Sequence, residues 1–435
     1  MHSVAPPRGA RILFATSIVA RLGPAMLDVG LLVHTQHLTG SFAAAGVVAG
    51  TYAIALGVGG PLLGRLVDHR GQTSVLLVSA GVAATLLVAI AMLPAGASLT
   101  VLVALAAGIG LSTPPVGACL RTQLPALIDA GAVRAVYALE ASVVELTYIF
   151  GPPLVLCVAA LWSTGAALAV AGVVLLAATA AFAAQPASRA WQPPPGGPGL
   201  REGSLRTPGM RTLVIVLIAV GMLLGADEVA VTAVAKTLDS TTVAAPLFAV
   251  WGAGSFIGGL LLTRLGGGAR RAAGLALLLG ALTIGNLGLI PADGSIIALA
   301  AVLFVAGAAI APTEATIYAM VDHAAPAGSM TEAFAWLATA MAVGGALGAA
   351  GAGVVADGAG PAAAFGLASF AGVLAVLTTM LRAGTIKPPR DAPLSAVPET
   401  NRQPGQSSDP GPARDGRSTG RLRGVGSEFE ACRTW

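Results

Sequence analysis

The stretch that decides the fold is Gly64-Arg65-Leu66-Val67-Asp68-His69-Arg70-Gly71, a short polar run inside a long apolar region. An apolar run of residues 42–63 precedes it, and another begins at residue 74. Charged side chains cost about 2.5–3.5 kcal/mol each at the centre of a membrane-spanning helix. Four ionisable side chains between two apolar runs therefore predict a tight turn at a membrane surface. The arginines predict that this surface is the cytoplasmic one.

The composition of the 435-residue chain is typical of a membrane protein. Hydrophobic residues make up 55% of it, charged residues only 10%, and its mean hydropathy is +0.82. Soluble domains carry about 25% charged residues. The 57 glycines suit close helix packing in lipid, where small residues let backbones approach each other. These values argue against a water-soluble globule.

Several functional classes find no support in the sequence. The basic residues sit singly between apolar runs, and the net charge is only +4, which argues against nucleic-acid binding. Cys119, Cys157 and Cys432 form neither a disulfide framework nor a metal-ligand pattern. No phosphate-binding loop for ATP hydrolysis occurs. We therefore expect no cofactor, no metal site and no enzyme activity.

Twelve apolar runs are each long enough to cross a hydrocarbon core of about 30 Å. They cover residues 12–34, 42–63, 74–94, 99–120, 135–160, 164–184, 211–235, 242–263, 272–291, 295–320, 331–356 and 361–382. We therefore expect an all-α membrane protein with twelve transmembrane helices.

The charges between the spans predict the orientation. Connections on the side of the Gly64–Gly71 turn hold eleven arginines, and the opposite connections hold only Lys236. The eleven are Arg65, Arg70, Arg121, Arg134, Arg189, Arg201, Arg206, Arg211, Arg264, Arg270 and Arg271. The positive-inside rule then predicts a multi-pass protein of the plasma membrane with both termini cytoplasmic.

The second half of the chain repeats the first. Residues 59–66, Gly-Gly-Pro-Leu-Leu-Gly-Arg-Leu, return 199 positions later as Gly-Gly-Leu-Leu-Leu-Thr-Arg-Leu in residues 258–265. The same offset places Asp28 opposite Asp227, and it aligns Gly/Pro breaks in spans 4 and 10. Such paired breaks indicate a transporter's central site.

The repeat predicts two pseudo-symmetric six-helix bundles. The expected organisation is a cytoplasmic N-terminus (1–10), an N-terminal bundle (11–184), a cytoplasmic linker (185–210), a C-terminal bundle (211–385) and a disordered cytoplasmic tail (386–435). The linker is rich in proline and glycine, and the tail has almost no apolar residues, which is the composition of a disordered segment.

This architecture and the spacing Gly64-(x)3-Asp68-(x)2-Gly71 together resemble the major facilitator superfamily, over residues 11–385. The family's turn between spans 2 and 3 reads Gly-x-x-x-Asp-Arg-x-Gly-Arg-basic, and this chain departs from it at His69. The resemblance implies that Asp68 bonds to the neighbouring bundle in the outward-facing state. It also implies a cytoplasmic gate made of Gly64, Arg65, Asp68, Arg70 and Gly71.

Span 5 contains a second point of resemblance. Gly151-Pro152 resembles the core of the family's antiporter motif, although Val155-Leu156 replace the Gly-Gly pair that normally follows. Physically, Gly-Pro bends a helix and frees a carbonyl group. A simple packing kink and an antiporter element both remain open.

Ionisable residues deep in the apolar runs are the candidate site. Arg21 and Asp28 share one face of span 1, and we expect Arg21 to pair with Glu145 of span 5 because buried arginines usually pair with carboxylates. In span 7 the repeat favours Asp227 over Glu228 for the cavity. The proton-coupling and substrate set is therefore Arg21, Asp28, Glu145, Asp227 and Glu314.

Three other charges are expected to have simpler roles. Glu140 and Glu332 lie near helix ends, where snorkelling or capping explains them, and Arg121 is read as an anchor at the membrane surface. The buried acids of the candidate set could equally be structural pairs that hold the bundles together.

The sequence thus predicts a secondary transporter that works by alternating access. We expect proton-coupled efflux of small hydrophobic or amphipathic molecules, because the spans offer few polar groups for a sugar. An uptake carrier for a metabolite and a non-transporting membrane sensor or scaffold are the alternatives. The expected partners are a small-molecule substrate, protons and the lipid bilayer, with the monomer as the working unit.

Overall fold

The computed structural model describes residues 8–129, 132–192, 203–237, 243–265, 271–326 and 328–386, and the structural statements below concern these residues. The sequence-predicted tail, apart from residue 386, lies outside them, and so do residues 193–202 of the predicted linker.

Within these ranges the chain is helical and has no β-strand. The helices are α1 (Arg8–Thr39), α2 (Phe42–Arg70), α3 (Gln72–Ala91), α4 (Leu99–Ser112), α5 (Val116–Leu127), α6 (Val133–Leu161), α7 (Thr164–Ala183), α8 (Pro186–Ala190), α9 (Pro208–Thr237), α10 (Ala244–Arg264), α11 (Ala272–Leu287), α12 (Ile296–Gly307), α13 (Ile310–Ala324), α14 (Met330–Ala359) and α15 (Pro361–Leu381).

The predicted count of twelve spans is confirmed among the described residues. Two of these spans are each made of two α-helices. Span 4 consists of α4 and α5, which are separated at Thr113–Pro115, and span 10 consists of α12 and α13, which are separated at residues 308–309. Proline has no N–H to continue a helical ladder, which explains the first break. The predicted breaks in these two spans are therefore present.

Glycines allow matching helix pairs to touch in both halves. A Cβ atom on Gly59 of α2 would lie 2.6 Å from the backbone of Leu111 in α4. In the second half, a Cβ atom on Gly258 of α10 would overlap the backbone of Ala308 beside α12. The echoed Gly-Gly sequence thus serves the same close packing twice.

The two bundles meet through α2 against α14 and through α6 against α10. Hydrogen bonds cross both contacts. Thr339 Oγ1 donates to the Gly57 carbonyl at 2.6 Å, and Thr263 Oγ1 donates to the Ala135 carbonyl at 3.2 Å. We call the end of the bundle that carries the Gly64–Gly71 turn the turn side, and the opposite end the far side.

The first helices of the two halves, α1 and α9, are related by an offset that differs by one residue from the offset between α2 and α10. In α1, Met26 and Leu27 are buried and Asp28 is exposed, and α9 shows the same pattern at Ala226, Asp227 and Glu228. Asp28 therefore corresponds to Glu228, 200 positions later, whereas α2 and α10 keep the offset of 199. The predicted pairing of Asp28 with Asp227 is wrong by one residue.

Candidate transport site between the bundles

Asp68 joins the two bundles on the turn side. Its carboxylate accepts hydrogen bonds from the backbone N–H groups of Thr331 at 3.1 Å and Glu332 at 2.9 Å. Both groups lie in the first turn of α14, where N–H groups have no partner within the helix and the helix dipole favours a negative charge. Asp68 of one bundle thus caps a helix of the other, as the resemblance implied.

Glycine is required at the start of the same motif. A Cβ atom on Gly64 would lie 2.9 Å from the Thr331 carbonyl oxygen and 3.0 Å from Glu332 Cα. Without a side chain there, α2 can approach the first turn of α14 closely enough for Asp68 to reach it. In the same region, the hydroxyl groups of Thr122 and Thr331 are 3.2 Å apart.

Deeper between the bundles, Glu140 of α6 binds two arginines. Its side chain is completely buried; it accepts hydrogen bonds from Arg121 Nε at 2.9 Å and Arg121 Nη2 at 3.1 Å, and it forms an ion pair with Arg21 Nη2. Gly117 of α5 leaves room for Arg21, because a Cβ there would lie 2.7 Å from Nη2. Three helices of the first bundle are thereby linked through one carboxylate.

This arrangement corrects three expectations. Arg21 pairs with Glu140 and not with Glu145, Glu140 is a buried counter-ion and not a snorkelling residue, and Arg121 is buried and not an anchor at the surface. Residues 140 and 145 differ by about 140° around the helix. The rotation of α6 against α1 therefore selects one and excludes the other.

The second bundle contributes a tyrosine and a carboxyl group to the same cluster. The guanidinium carbon of Arg121 lies 3.8 Å from the ring centroid of Tyr318 in α13, a cation–π contact. Tyr318 donates its hydroxyl to Glu314 Oε2 at 3.2 Å. Glu314 lies within electrostatic reach of Arg121 and Arg21. The arginine cluster of α1, α5 and α6 therefore extends across the bundle interface.

Glu145 lies one turn and a half further along α6. It accepts a hydrogen bond at 3.3 Å from Ser255 Oγ, which belongs to α10 of the other bundle. It is also within electrostatic reach of Glu314 and Glu228. The two arginines bind Glu140 directly, so Glu145 and Glu314 are the further carboxyl groups of the site.

Asp28 and Glu228 occupy corresponding exposed positions of α1 and α9, further towards the far side. Asp28 is two helical turns from Arg21 on one face of α1, about 10 Å along the axis. Asp28 and Glu228 are both exposed, and Glu228 acts electrostatically on Glu145 across the interface. The structure thus brings Arg21, Glu145 and Glu314 to a cleft between the bundles, and Asp28 lies on the same face of α1 as Arg21.

Asp227 does not belong to this cleft. Its side chain is 0% exposed and lies beside Asn286 of α11, inside the C-terminal bundle. Adjacent helical residues point about 100° apart, so Glu228, the less favoured choice, is the one that faces the cleft. The prediction for Asp227 is wrong because the sequence repeat was read with an offset one residue too short for this helix.

Gly151 and Pro152 lie within α6, which continues through them to Leu161. A Cβ atom on Gly151 would lie 2.8 Å from the Ala25 side chain and 2.9 Å from its backbone. Glycine is therefore needed here for the contact between α1 and α6, the two helices that hold Arg21 and Glu140. This supports the packing reading of the motif and leaves its antiporter role a prediction.

Fold and site together define a class of protein: a polytopic membrane transporter built from two related six-helix bundles with a polar site between them. The chain belongs to the Major Facilitator Superfamily, whose sequence model matches residues 13–279. It is thus a transporter of that superfamily. No curated protein sequence matches the chain.

Solved structures share the fold at low sequence identity. A bacterial homologue of the iron transporter ferroportin, in an outward-facing state, matches with a TM-score of 0.71 and 14% identity, over 87% of this chain and 100% of that one. A second structure of a bacterial ferroportin homologue in the outward-facing state, with soaked iron, matches with a TM-score of 0.68 and 15% identity, over 86% of this chain and 99% of that one. The human organic anion transporter MFSD10 (TETRAN) matches with a TM-score of 0.68 and 17% identity, over 86% and 100%.

Proposed function

We propose that this chain is a proton-coupled exporter of small hydrophobic or amphipathic molecules, which works by alternating access in the plasma membrane. The observation that carries the proposal is the charge balance of the inter-bundle site. In the buried part of the site, Arg21 and Arg121 balance two of the three carboxylates Glu140, Glu145 and Glu314, so one carboxyl group is in excess there; the exposed Asp28 and Glu228 lie outside this count. A site of low polarity favours electroneutrality, and one proton supplies it.

We assign that proton to Glu145. Its hydrogen bond comes from Ser255 of the other bundle at 3.3 Å, so any movement that separates the bundles breaks this bond and changes the surroundings of the carboxyl group. Glu314 is the alternative carrier, because it also lies between the bundles. A ligand shifts a conformational equilibrium when it binds the two states unequally. A proton on Glu145 meets this condition.

The charges of the cleft support a neutral or cationic amphipathic substrate. Asp28 and Glu228 add two carboxylates on the far side, and both arginines are already bound to Glu140. An anion would meet net repulsion there. The iron and organic-anion transporters that share the fold show that the fold alone does not select the substrate.

The Asp68 contact supports a state closed on the turn side, which the arginine count of the sequence assigns to the cytoplasm. Export then follows a simple order. Glu145 takes a proton while the cleft faces the far side, and releases it when the turn side opens and substrate enters. The proton therefore moves from the far side to the turn side in one half of the cycle, and the substrate moves from the turn side to the far side in the other half.

The proposal is tested with everted membrane vesicles that contain the full chain. A pH gradient with an acidic vesicle interior is imposed, because the interior of an everted vesicle corresponds to the outside of the cell. Accumulation of a fluorescent amphipathic cation inside the vesicles is then followed. We expect the wild type to concentrate the dye inside the vesicles. In Glu145→Gln, the gradient-driven accumulation should fall at least tenfold, whereas movement of the dye along its own concentration gradient should continue. Asp357→Asn, which removes an exposed carboxylate at the end of α14, is the matched control.

The alternatives predict different results. Full gradient-driven accumulation by Glu145→Gln refutes coupling at this residue. Dye movement only in the opposite direction indicates an uptake carrier, and no dye movement by the wild type, over a panel of neutral and cationic compounds, indicates a sensor or scaffold.

A further inference from the structure

A second set of buried polar groups lies inside the C-terminal bundle, apart from the cleft. Asp227 is 0% exposed, Asn286 1% and Ser369 3%. Both carboxylate oxygens of Asp227, Oδ1 of Asn286 and Oγ of Ser369 have no hydrogen bond of normal length among the residues that the structure describes, and the Asn286 amide approaches the Asp227 carboxyl group only as a longer, weaker donor. Buried polar groups in native proteins are nearly always paired, because an unpaired one costs on the order of 1–3 kcal/mol. Four such oxygens on three helices need a common explanation.

The packing around Gly372 shows where these three helices meet. A Cβ atom on Gly372 of α15 would lie 2.5 Å from Thr283 Oγ1 in α11 and 3.0 Å from Leu223 Cδ1 in α9. The missing side chain therefore lets α9 and α11 approach each other across α15. Thr283 donates its own hydroxyl proton to the Leu279 carbonyl at 2.7 Å, which leaves its oxygen able to accept another bond.

The three polar residues lie one turn from this meeting point, all in the same direction. Asp227 follows Leu223 by four residues and Asn286 follows Thr283 by three. Since α15 runs antiparallel to α9 and α11, Ser369 reaches the same level by preceding Gly372 by three residues. One turn is about 5.4 Å. Asn286 also lies directly beside the Asp227 carboxyl group.

The orientation of Asp227 is fixed by the opposite face of α9. Gly225 packs so tightly against Gly345 of α14 that a Cβ there would overlap the Gly345 carbonyl group. Residue 227 lies about 200° around the helix from residue 225. Asp227 therefore points away from α14 and into the space between α9, α11 and α15.

Packing does not require polar residues at this place. The first half of the chain has Leu27 at the position that corresponds to Asp227, and Leu87 at the position of Asn286, both 0% exposed. Two leucines fill the site in one bundle, and a carboxyl and an amide replace them in the other. This difference indicates a property that belongs to the C-terminal bundle alone.

We propose that Asp227, Asn286 and Ser369 form a binding site for a monovalent metal cation, with sodium as the ion to test. The ligands are all oxygens, which hard cations prefer. One carboxylate balances one positive charge, whereas calcium sites use several carboxylates. A proton on Asp227 would satisfy at most two of the four oxygens, because it forms one O–H group that donates to one acceptor. A cation between the three helices can bind all four. The site lies outside the cleft, so the inference does not depend on the proposed function.

The test measures sodium binding to the purified full chain in lipid nanodiscs, with radioactive sodium at constant ionic strength maintained by choline chloride. Thermal unfolding is followed in parallel. We expect saturable binding of one sodium ion per chain and a melting temperature that rises with sodium but not with choline. Asp227→Asn should weaken the apparent affinity at least tenfold, and Ser369→Ala should weaken it less.

Asp357→Asn is the matched control, because it removes an exposed carboxylate at the end of α14, and it should bind sodium as the wild type does. If Asp227→Asn fails to fold, Asn286→Leu, the residue that the first half carries, takes its place. Absence of saturable sodium binding by the wild type overturns the proposal, and so does unchanged affinity in the folded Asp227 or Asn286 variant. A melting temperature that responds to pH but not to sodium identifies a protonated Asp227 and also overturns it.

Discussion

Replacing Glu140 by glutamine should destabilise the protein more than any other neutralisation of a single carboxylate in the cleft. The substitution keeps the shape of the side chain but removes the carboxylate that, among the described residues, both Arg21 and Arg121 bind. Removing one partner of a buried ion pair costs about 3–5 kcal/mol, because the remaining charge is left without compensation. Here two guanidinium groups lose their direct partner at once, and the more distant Glu314 compensates them only in part, so the expected loss lies within this range.

That free energy converts into a measurable shift. A change of 1 kcal/mol moves the melting temperature of a domain of 150–250 residues by about 2–4 °C. Glu140→Gln should therefore lower the melting temperature by roughly 10 °C. The assay is thermal unfolding in nanodiscs, read by thiol labelling of Cys119, which is 0% exposed in the folded chain.

Glu145→Gln is the matched control on the same helix. The glutamine oxygen can still accept the 3.3 Å hydrogen bond from Ser255, so about 1 kcal/mol is the expected limit of the loss. A double variant, Glu140→Gln with Arg121→Leu, should recover part of the loss because only one guanidinium group then lacks a partner. If Glu140→Gln and Glu145→Gln melt within 2 °C of each other, Glu140 is not the counter-ion, and the reasoning from burial and ion pairing fails.

Three further substitutions test the bundle contacts. Asp68→Asn should weaken the closed turn side by about 2 kcal/mol, since a charged acceptor of two N–H groups is lost. The closed-to-open ratio should fall roughly 30-fold, and unchanged labelling of single cysteines introduced on the turn side would contradict this. Gly151→Ala should destabilise the chain by about 1–3 kcal/mol through overpacking, whereas Gly46→Ala, with nothing within 4 Å of the added Cβ, should not; equal melting temperatures would refute the close contact. Arg121→Lys should lose both the fork geometry and the ring contact, and an unaltered melting temperature would show that neither stabilises the site.

The sequence predicts the membrane architecture well because that architecture depends on local properties. Span number follows from the length of apolar runs, and the breaks in spans 4 and 10 follow from proline and glycine within them. The contact of Asp68 with α14 follows from a family resemblance, and the geometry gives its reason: a carboxylate meets two free N–H groups at a helix start. None of these features needs knowledge of how one helix is rotated against another.

The partner of Arg21 could not be predicted, because it depends on that rotation. Glu140 and Glu145 are five residues apart on one helix, and the depth of a span in the membrane is known from sequence only to within a few residues. The contact of Gly151 with Ala25 sets the rotation and depth of α6 against α1. Gly151 and Ala25 lie outside the charge pattern, so the pattern alone suggested the wrong carboxylate.

The register of the repeat failed for a similar reason. From Asp28 to Gly59 the chain has 31 steps, and from Glu228 to the matching Gly258 it has 30. One residue is therefore missing between the first two helices of the second half, and the echo in α2 and α10 cannot reveal it. Burial reveals it at once, because each helix repeats its pattern of buried and exposed positions. The carboxyl groups that face the cleft are thus symmetric, whereas Asp227 is not part of that symmetry.

The asymmetry between the bundles has a consequence for how the protein could respond to ions. The inter-bundle contacts at Asp68, Arg121 and Glu145 are those that must break when the turn side opens, so a proton bound there acts directly on the balance of the two states. The polar residues around Asp227 lie within one bundle, so the proposed ion would add to the stability of that bundle. Such an ion would shift the equilibrium between the closed and open states only if opening changes the spacing of α9, α11 and α15. Proton coupling and cation binding can therefore be separated by measurement, since the first alters transport direction and rate and the second alters the stability of one half.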